Sequence, residues 1–584
     1  MGVITTAVGM AVYQVYQQTG RRTEESEKKS VPNLGYLMFL GIMGCTLYGQ
    51  IVGIFGKISM KANLFLLIIV TGYFLWQKKY IKTLFLCGKG YRCCFVPDKI
   101  SKGKDFSKVE AGIIAAISII ALLAYAFASA GPAKLIDTDW YHAQAIRWLE
   151  EYGVVKGLGN LFPSLGYNNG QHYFDALFSM KWLLGQSLRN TGGFFGIVLF
   201  LHGITRISSW KRRYYHMADM IAVWEIAYSI IVTAFFADPY VDTLPNALVL
   251  VIMTEWIGRL EEGNNEIKPM ILDCLLAVFS VVCKLSVIMV LLLALYPFLI
   301  LLRQKRAKDI FLYFSMGLLI ALPFFITNVI TTGYLIYPVA LLDFFPVRWK
   351  MDAKILSHTV DSMVAFARMP LATMEEALSS GLSWIPVWFK AESISHQLLY
   401  VAIVLISLYD IGNIIKDLLG NIKKKDNNNW AYNFPMLWPR ICVYCGLVYW
   451  FFSIPQVKYC WSFLILPLAI VPMYYWKERK RGILENGIMI MSLGILLIYS
   501  GFYGLRTLGY MKDGILNYPV MQADYKQYDF EEISIGNHFF YIRKEGGDIA
   551  CGYYAFPYLD NPENQDKLVV GESLRDGFWM SNRE

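Results

Sequence analysis

The sequence predicts an all-α protein that crosses a lipid bilayer about thirteen times and carries a small folded domain after its last crossing. Its 584 residues are 56% hydrophobic, 15% aromatic and only 17% charged, whereas soluble chains carry roughly a quarter charged residues. Apolar runs of spanning length recur along the chain, and the backbone polar groups of such a run are satisfied in lipid only if it is helical. This composition excludes a soluble protein.

Most of the apolar runs have the length of one membrane crossing. They cover residues 35–55, 60–76, 110–130, 192–207, 218–236, 241–258, 309–328, 397–414, 438–453, 460–476 and 483–503. The stretch 270–302 is too long for one ordinary crossing and contains Lys284, so we expect two short helices that are broken at this lysine near a membrane face. Residues 1–18 are only weakly apolar, and whether they add a crossing stays open.

Basic residues are concentrated in five places, which predict the orientation. They are the segment 77–109, Arg206 with Lys211–Arg213, Arg303–Arg306, Lys423–Lys425, and Lys477–Arg481. Counting helices between them puts all five on one side, which the positive-inside rule identifies as the cytoplasm. The formal charge of +9 is therefore a matter of topology, and no nucleic-acid partner is implied. The C-terminus is expected outside.

The charges and runs divide the chain into three parts. Residues 1–109 form N-terminal helices and a basic cytoplasmic loop, and residues 110–503 form a transmembrane core with outer loops 131–191 and 329–396. The tail 504–584 has eight Lys and Arg against thirteen acids. Since it also contains clusters of turn residues, we expect a small extracytoplasmic domain there.

The first outer loop opens with Asp137 and Asp139, two residues apart, followed by Trp, Tyr and His142. A helix cap explains one such carboxylate. Two of them at the edge of lipid exceed what a cap needs, and a carboxylate with a raised pKa there can act as a general base. The nearby His172 is expected to be an ordinary loop histidine.

Further polar residues are predicted at the same outer face. Asp242 and Lys284 begin or interrupt helices, Tyr337 marks a helix exit, and Arg348 and Lys458 lie in outer turns. Each has a simple explanation as a cap, a snorkelling lysine or an interface anchor. Together they form a ring of acids, cations and aromatic residues that suits an amphiphilic, phosphate-bearing substrate.

Several short motifs resemble those of one bacterial family of uncharacterised multi-spanning membrane proteins. They are Asp137-Thr-Asp139-Trp-Tyr-His142, Asp238-Pro-x-x-Asp242, Lys284-Leu-Ser286, Thr332-Gly-Tyr-x-x-Tyr337-Pro338 and, in the tail, Phe556-Pro-Tyr-Leu559. That family looks like a branch of the GT-C glycosyltransferases, which use polyprenyl-phosphate sugars. The resemblance runs from about residue 110 to the end. Asn168-Asn169-Gly170 and Lys458-Tyr459 depart from its pattern, and the lysine lacks the bidentate fork of an arginine.

The resemblance implies a transferase in the bacterial cytoplasmic membrane, which moves a sugar from a polyprenyl-phosphate carrier to an envelope glycan or lipid acceptor on the outer face. Asp139 is then the first candidate for the base and Asp137 the second. Positive charge for the leaving phosphate would come from Lys284, Lys458 or Arg348. The other expected substrate contacts are His142, Asp242 and Tyr337.

Three alternatives stay open at this stage. One is a polymerase or ligase of envelope polysaccharide, another a transporter or flippase of lipid-linked sugars, and the third a purely structural membrane protein. Transporters tend to have repeated halves and polar groups at the bilayer midplane, whereas the polar residues here collect at one face. No residue spacing predicts a metal site, although a divalent cation between Asp139 and Asp242 would be compatible with the chemistry.

Overall fold

The computed structural model of the protein describes residues 1–19, 32–77, 108–207, 216–424, 427–478, 482–544, 551–560 and 565–581. Four of the predicted basic clusters fall wholly or partly outside these residues, because the positions that are not described include 78–107, 208–215, 425–426 and 479–481. Within the described ranges, a helix occupies the position of each predicted apolar run.

Long helices form the core, and short ones form the loops between them. The first half contains α1 (Gly2–Gln18), α2 (Leu34–Phe55), α3 (Met60–Trp76), α4 (Lys108–Ala128), a π-helical turn (Thr138–His142), α5 (Ala143–Glu151), α6 (Leu158–Leu161), α7 (Gly170–Phe178), α8 (Lys181–Leu184), α9 (Thr191–Ile207), α10 (Met217–Ile231), α11 (Thr243–Glu261) and α12 (Ile267–Cys283). The second half contains α13 (Leu295–Arg303), α14 (Ala307–Thr332), α15 (Ala353–Arg368), α16 (Met374–Ser379), α17 (Trp384–Ala391), α18 (Ile394–Lys424), α19 (Asn427–Ser453), α20 (Trp461–Glu478) and α21 (Ile483–Asn517). Short 3₁₀ segments cover Pro163–Gly166, Val232–Phe235, Leu285–Ala294, Val457–Tyr459 and Leu574–Asp576.

Six of the described helical segments are long and apolar enough to cross a membrane. They are Leu34–Phe55, Met217–Phe235, Leu285–Arg303, Ala307–Thr332, Ile394–Lys416 and Ile483–Asn517. Four shorter apolar helices accompany them: Met60–Trp76, Gly112–Ala128, Thr191–Ile207 and Trp461–Trp476. The protein is thus a helical membrane protein, while the count of thirteen crossings stays a prediction.

The segment 270–302 is broken at Lys284, as predicted. Helix α12 ends at Cys283, and the backbone of Lys284 is extended, with φ −159° and ψ 129°. A ten-residue 3₁₀ segment then leads into α13, and 3₁₀ runs longer than three or four residues are uncommon. The break frees the lysine side chain from the apolar helix face and directs it towards the outer loops.

Helix α1, whose status the sequence left open, packs closely along α2. A Cβ atom on Gly9 would lie only 1.8 Å from the carbonyl oxygen of Leu37, and one on Gly41 only 1.7 Å from that of Thr5. Glycines at both contacts let the two backbones approach each other.

The last long helix extends beyond the predicted domain boundary at residue 503. Helix α21 has 35 residues and ends at Asn517, two residues before Pro519, which disfavours helix at the residue before it. The tail beyond it contains two antiparallel hairpins, β1 (Phe530–Ile535) with β2 (His538–Arg543), and β3 (Leu568–Val570) with β4 (Phe578–Met580). The tail therefore contains small antiparallel sheets, and we refer to the part that begins at about residue 518 as the C-terminal domain. Its location outside the cytoplasm stays a prediction.

The C-terminal domain packs on the first outer loop. Trp148 of α5 is buried against Phe556 and Phe578 of the tail, with ring centroids 4.7 and 5.8 Å apart. The guanidinium of Arg147 donates to the carbonyl oxygen of Tyr553, at 2.7 Å. The domain therefore sits directly above the loop that contains Asp137 and Asp139.

Candidate functional site

A buried aspartate shapes the start of the first outer loop. The carboxylate of Asp238 accepts hydrogen bonds from the backbone N–H groups of Lys134 and Leu135, at 3.0 and 3.1 Å, and from the hydroxyl of Thr138, at 2.7 Å. Burial raises the pKa of Asp238 to about 6, although these donors oppose the shift. Asp238 thus fixes the chain where it leaves α4.

The π-helical turn that follows separates the two candidate bases. Residues two apart on a helix do not share a face, whereas residues four or five apart do in this wider turn. The carboxylate of Asp137 accordingly lies 3.1 Å from the ammonium of Lys458. The carboxylate of Asp139 points the other way and accepts a hydrogen bond from the hydroxyl of Tyr528 in the C-terminal domain, at 2.8 Å.

Two acids and two lysines from distant parts of the chain meet beside this turn. Asp137 pairs with Lys458, and Asp242 forms an ion pair with Lys284. We refer to these four residues as the acid–lysine cluster. Both ammonium groups also lie over the ring of Tyr459, at 4.3 Å for Lys284 and 5.2 Å for Lys458. Asp242, Lys284 and Lys458 therefore lie together in the structure, and the membrane face that they occupy stays a prediction.

The cluster is assembled from the ends of helices. Asp242 precedes α11, Lys284 follows α12, and Lys458 lies in the short turn between α19 and α20. Asn246 ties these pieces together, because its amide group donates to the carbonyl oxygens of Asp242 and Lys458 and accepts from the backbone of Ser462. Neither Asp137 nor Asp242 makes a side-chain capping hydrogen bond, so the cap explanation is wrong for both.

Access differs among the four groups. The Asp242 side chain is only 3% exposed, whereas those of Asp137 and Lys458 are 24% and 34% exposed. Burial lowers the pKa of Lys458, but Tyr459 and the two aspartates outweigh burial and keep this pKa above its usual value. The lysine is therefore a permanent cation that a ligand can reach.

A cavity of about 500 Å³ opens beside the acid–lysine cluster, a volume typical of small-molecule sites. Its polar lining includes Tyr141, Asn168, Asn169, His172, Lys284, Ser286, Tyr337 and Tyr459. Its apolar lining includes Val281, Leu285, Phe324, Val339, Val360, Met363, Val364 and Ile454. The cavity thus offers surfaces for both parts of an amphiphilic molecule.

Two histidines form a buried pair next to the cavity. Nδ1 of His142 lies 2.8 Å from Nε2 of His172. Burial lowers the pKa of His172 to about 3 and that of His142 well below its usual value. Both rings are therefore neutral, and one nitrogen donates to the other. The sequence predicted an ordinary loop histidine at His172. In the structure this residue lies in the buried helix α7, which Asn169 caps.

The remaining predicted residues are divided between the cavity and the C-terminal domain. Tyr337 lines the cavity, and its hydroxyl donates to the carbonyl oxygen of Pro163 at 3.1 Å. Arg348 instead stacks on Trp579, with its guanidinium carbon 4.1 Å from the ring centre. Arg348 and Asp139 are thus bound to the tail and do not line the cavity.

The described residues contain no group of three or more His, Cys, Asp or Glu side chains arranged to hold a metal ion. Asp139 is bonded to Tyr528 and Asp242 to Lys284. The two carboxylates therefore have separate partners, and their arrangement does not support a shared divalent cation.

Residues 1–465 match a family model described as a domain of unknown function, DUF8201. No curated protein and no solved structure matches the chain. The matched segment contains the whole acid–lysine cluster and the buried pair of His142 and His172. Since the match extends over most of its length, the chain belongs to the DUF8201 family.

Proposed function

We propose that the protein is a membrane glycosyltransferase that moves a sugar from a polyprenyl-phosphate carrier to a glycan or lipid acceptor at the outer face of the bacterial cytoplasmic membrane. The observation that carries the proposal is the acid–lysine cluster beside a cavity with polar and apolar surfaces. A lipid phosphate needs cations for its head and an apolar wall for its chain, and the cavity offers both.

The two lysines bind the phosphate in this proposal. An ammonium group has three N–H donors, and the ion pair with Asp137 engages one donor of Lys458. The exposure of Lys458 leaves room for an anionic ligand, while Lys284 lines the cavity wall. As the sugar leaves the carrier, negative charge grows on the phosphate, and cations fixed in place stabilise that charge.

Asp137 is the general base that the geometry favours. It belongs to the acid–lysine cluster and is reachable from outside, whereas the carboxylate of Asp139 is bonded to the C-terminal domain. Asp137 takes the proton of an acceptor hydroxyl while that oxygen attacks the anomeric carbon. The bond between this carbon and the phosphate oxygen breaks, and the lipid phosphate leaves as an anion against Lys284 and Lys458.

His172 and Tyr337 line the cavity and supply neutral hydrogen-bonding groups for sugar hydroxyls. A neutral imidazole both donates and accepts, so the histidine pair can orient a hydroxyl without adding charge. Lys284 is the cation among the cavity-lining residues named above, and Lys458 lies beside it over the same tyrosine ring. This suits a substrate whose charge is on its phosphate.

The test uses membranes from cells that produce the protein. They are incubated with polyprenyl phosphates carrying radiolabelled glucose, mannose, galactose or N-acetylglucosamine, and labelled product is separated from donor. Asp137→Asn should lower the transfer rate by ~10²–10⁴, the usual contribution of a general base. Products of stepwise increasing length would indicate a polymerase.

The matched control is Asp343→Asn, which removes another lysine-paired carboxylate from an outer loop. Asp343 pairs with Lys350 and is 45% exposed, and it does not line the cavity. Its transfer rate should equal that of the wild type. Equal rates for Asp137→Asn and wild type would exclude Asp137 as the base, and no transfer from any of these donors would contradict the proposed reaction.

A further inference from the structure

The second outer loop contains three helices, α15 to α17, between two helices that are long and apolar enough to span a membrane. Helix α14 ends at Thr332 and α18 begins at Ile394. Both ends of the intervening chain are therefore tied to the same face of the bilayer.

Helix α15 has one apolar face and one polar face. Val360, Met363 and Val364 line the cavity, whereas His358, on the opposite side of the helix, is exposed. This is the pattern of a helix that covers the cavity and presents its polar face to water.

Towards the end of α15 and beyond it, large apolar side chains are exposed among polar ones such as Glu375 and Glu376. Phe366 is 63% exposed, Leu371 101%, Leu382 66% and Val387 43%. Several large exposed apolar side chains in one segment indicate a contact with a membrane or another protein. The water-facing pattern of α15 is therefore lost within a few residues.

This apolar surface is held rigidly. Arg368 donates to the carbonyl oxygen of Phe452 at 2.7 Å, and the indole N–H of Trp388 donates to that of Pro455 at 2.8 Å. Trp384 and Trp388 are themselves buried against Phe451. The exposed leucines therefore do not turn inward, because the tryptophans already occupy the inner face.

The exposed surface continues into a candidate spanning helix. Ile394 and Leu398, in the first turns of α18, are 76% and 58% exposed, and this helix belongs to the set that is long and apolar enough to cross the bilayer. What covers the outward side chains of α18 in a membrane is lipid, and the apolar surface that begins at Phe366 leads directly into it.

We propose that residues 366–391 lie in the interfacial layer of the bilayer, with Phe366, Leu371 and Leu382 among the acyl chains. The segment is then a membrane-surface element of the kind formed by interfacial amphipathic helices, and the outer loop does not extend freely into water. This inference is independent of the proposed transferase activity.

The test is an environment-sensitive fluorescent amino acid, introduced by codon suppression at Leu371 and, as a second site, at Leu382. Both side chains are largely exposed, so the change removes little packing. Ser357, an exposed polar residue of α15, is the matched control. The full-length protein is placed in vesicles of phosphatidylethanolamine and phosphatidylglycerol.

The probes at Leu371 and Leu382 should emit at shorter wavelength than the probe at Ser357. Lipids brominated near the head of the acyl chain should quench the two leucine sites, and aqueous iodide should quench the Ser357 site. Iodide quenching of the leucine sites as strong as at Ser357 would overturn the proposal. Protection from both quenchers that disappears when the protein is diluted in lipid would also overturn it, because a second copy of the chain would then cover the surface.

Discussion

Helices α11 and α12 have ionic groups near both of their ends, and the two groups differ in how far a ligand can reach them. One end holds the acid–lysine cluster. Near the other end, His202, Glu225 and Glu255 form what we refer to as the histidine–glutamate cluster, and Arg259 pairs with Asp273 close by.

The histidine–glutamate cluster is closed. Nδ1 of His202 lies 2.7 Å from Glu225 and Nε2 lies 3.3 Å from Glu255, while the hydroxyl of Thr254 donates to the second oxygen of Glu225. His202 and Glu225 are fully buried, and neither lines the described cavity. Both ring nitrogens face carboxylates, so the imidazole serves as a bridge between helices.

The acid–lysine cluster is open by contrast, because Lys284 lines the cavity and Lys458 is 34% exposed. Burial of charge alone therefore does not distinguish the two clusters, whereas access for a ligand does. The two clusters should respond differently to substitution, which makes the comparison testable.

The largest effect is expected in the histidine–glutamate cluster. His202→Leu leaves the fully buried Glu225 without its imidazole partner and removes one of the partners of Glu255. Removal of one member of a buried ion pair costs about 3–5 kcal/mol. The measurement is thermal unfolding of the purified protein in detergent. Lys458→Met, in the open cluster, should lower the unfolding temperature far less.

Replacing both partners sharpens this result. The double variant His202→Leu/Glu225→Leu removes a charge pair instead of isolating one charge, and it should recover part of the lost stability. A single variant as stable as wild type would show that the closed cluster does not hold the helices together.

An intermediate effect on stability is expected at Asp238, a buried acid close to the acid–lysine cluster. Its carboxylate accepts from backbone N–H groups and a hydroxyl. Its pKa is raised to about 6 from 3.8, so the folded state keeps a proton that the unfolded state releases. This stabilises the fold below about pH 4, and the contribution is lost as the pH rises to about 6, a total of roughly 3 kcal/mol.

The measurement compares unfolding temperatures of wild type and Asp238→Asn between pH 4 and pH 7. The variant does not titrate at this position, so the wild type should lose more stability than the variant over this interval. Asp343→Asn, an exposed acid, should follow the wild-type profile. Parallel profiles for wild type and Asp238→Asn would contradict the raised pKa.

The smallest effect is expected at Asp139. Tyr528→Phe removes one hydrogen bond to its carboxylate, and a hydrogen bond to a charged group is worth about 1.5–3 kcal/mol. Asp139→Asn keeps an acceptor for the same hydroxyl and should cost no more. Unfolding temperature and transfer rate are measured together, and both variants should keep most of the transfer activity that Asp137→Asn loses.

Loss of activity in Asp139→Asn as large as in Asp137→Asn would break this distinction. Asp139 would then return as the base that the family resemblance implies, and the orientation of the π-helical turn during the reaction would have to differ.

The sequence was enough to predict features that depend on local patterns. The break at Lys284 follows from one charge in an overlong apolar run, and the meeting of Asp242 with Lys284 follows from counting helices. The different partners of Asp137 and Asp139 did not follow, because the π-helical turn that separates them is held by Asp238 and by the C-terminal domain, 100 and 389 residues away. Arg348 was misplaced for a similar reason, since its partner Trp579 lies in the last strand.

The hydrogen bonds between the C-terminal domain and the first outer loop also have a consequence for how the protein is made. The backbone N–H groups of Cys551 and Gly552 donate to the carbonyl oxygen of Asp139, at 2.9 and 2.6 Å, and Cys551 also reaches Trp140 across 411 positions. At 5–20 residues per second, a ribosome needs about 20–80 s to cover that distance. During this time the first outer loop lacks its hydrogen bonds to the C-terminal domain. A nascent chain that stops after α21 has its long helices but lacks the backbone hydrogen bonds to Asp139. The backbone hydrogen bonds to Asp139 therefore form only after residues 551 and 552 have been synthesised.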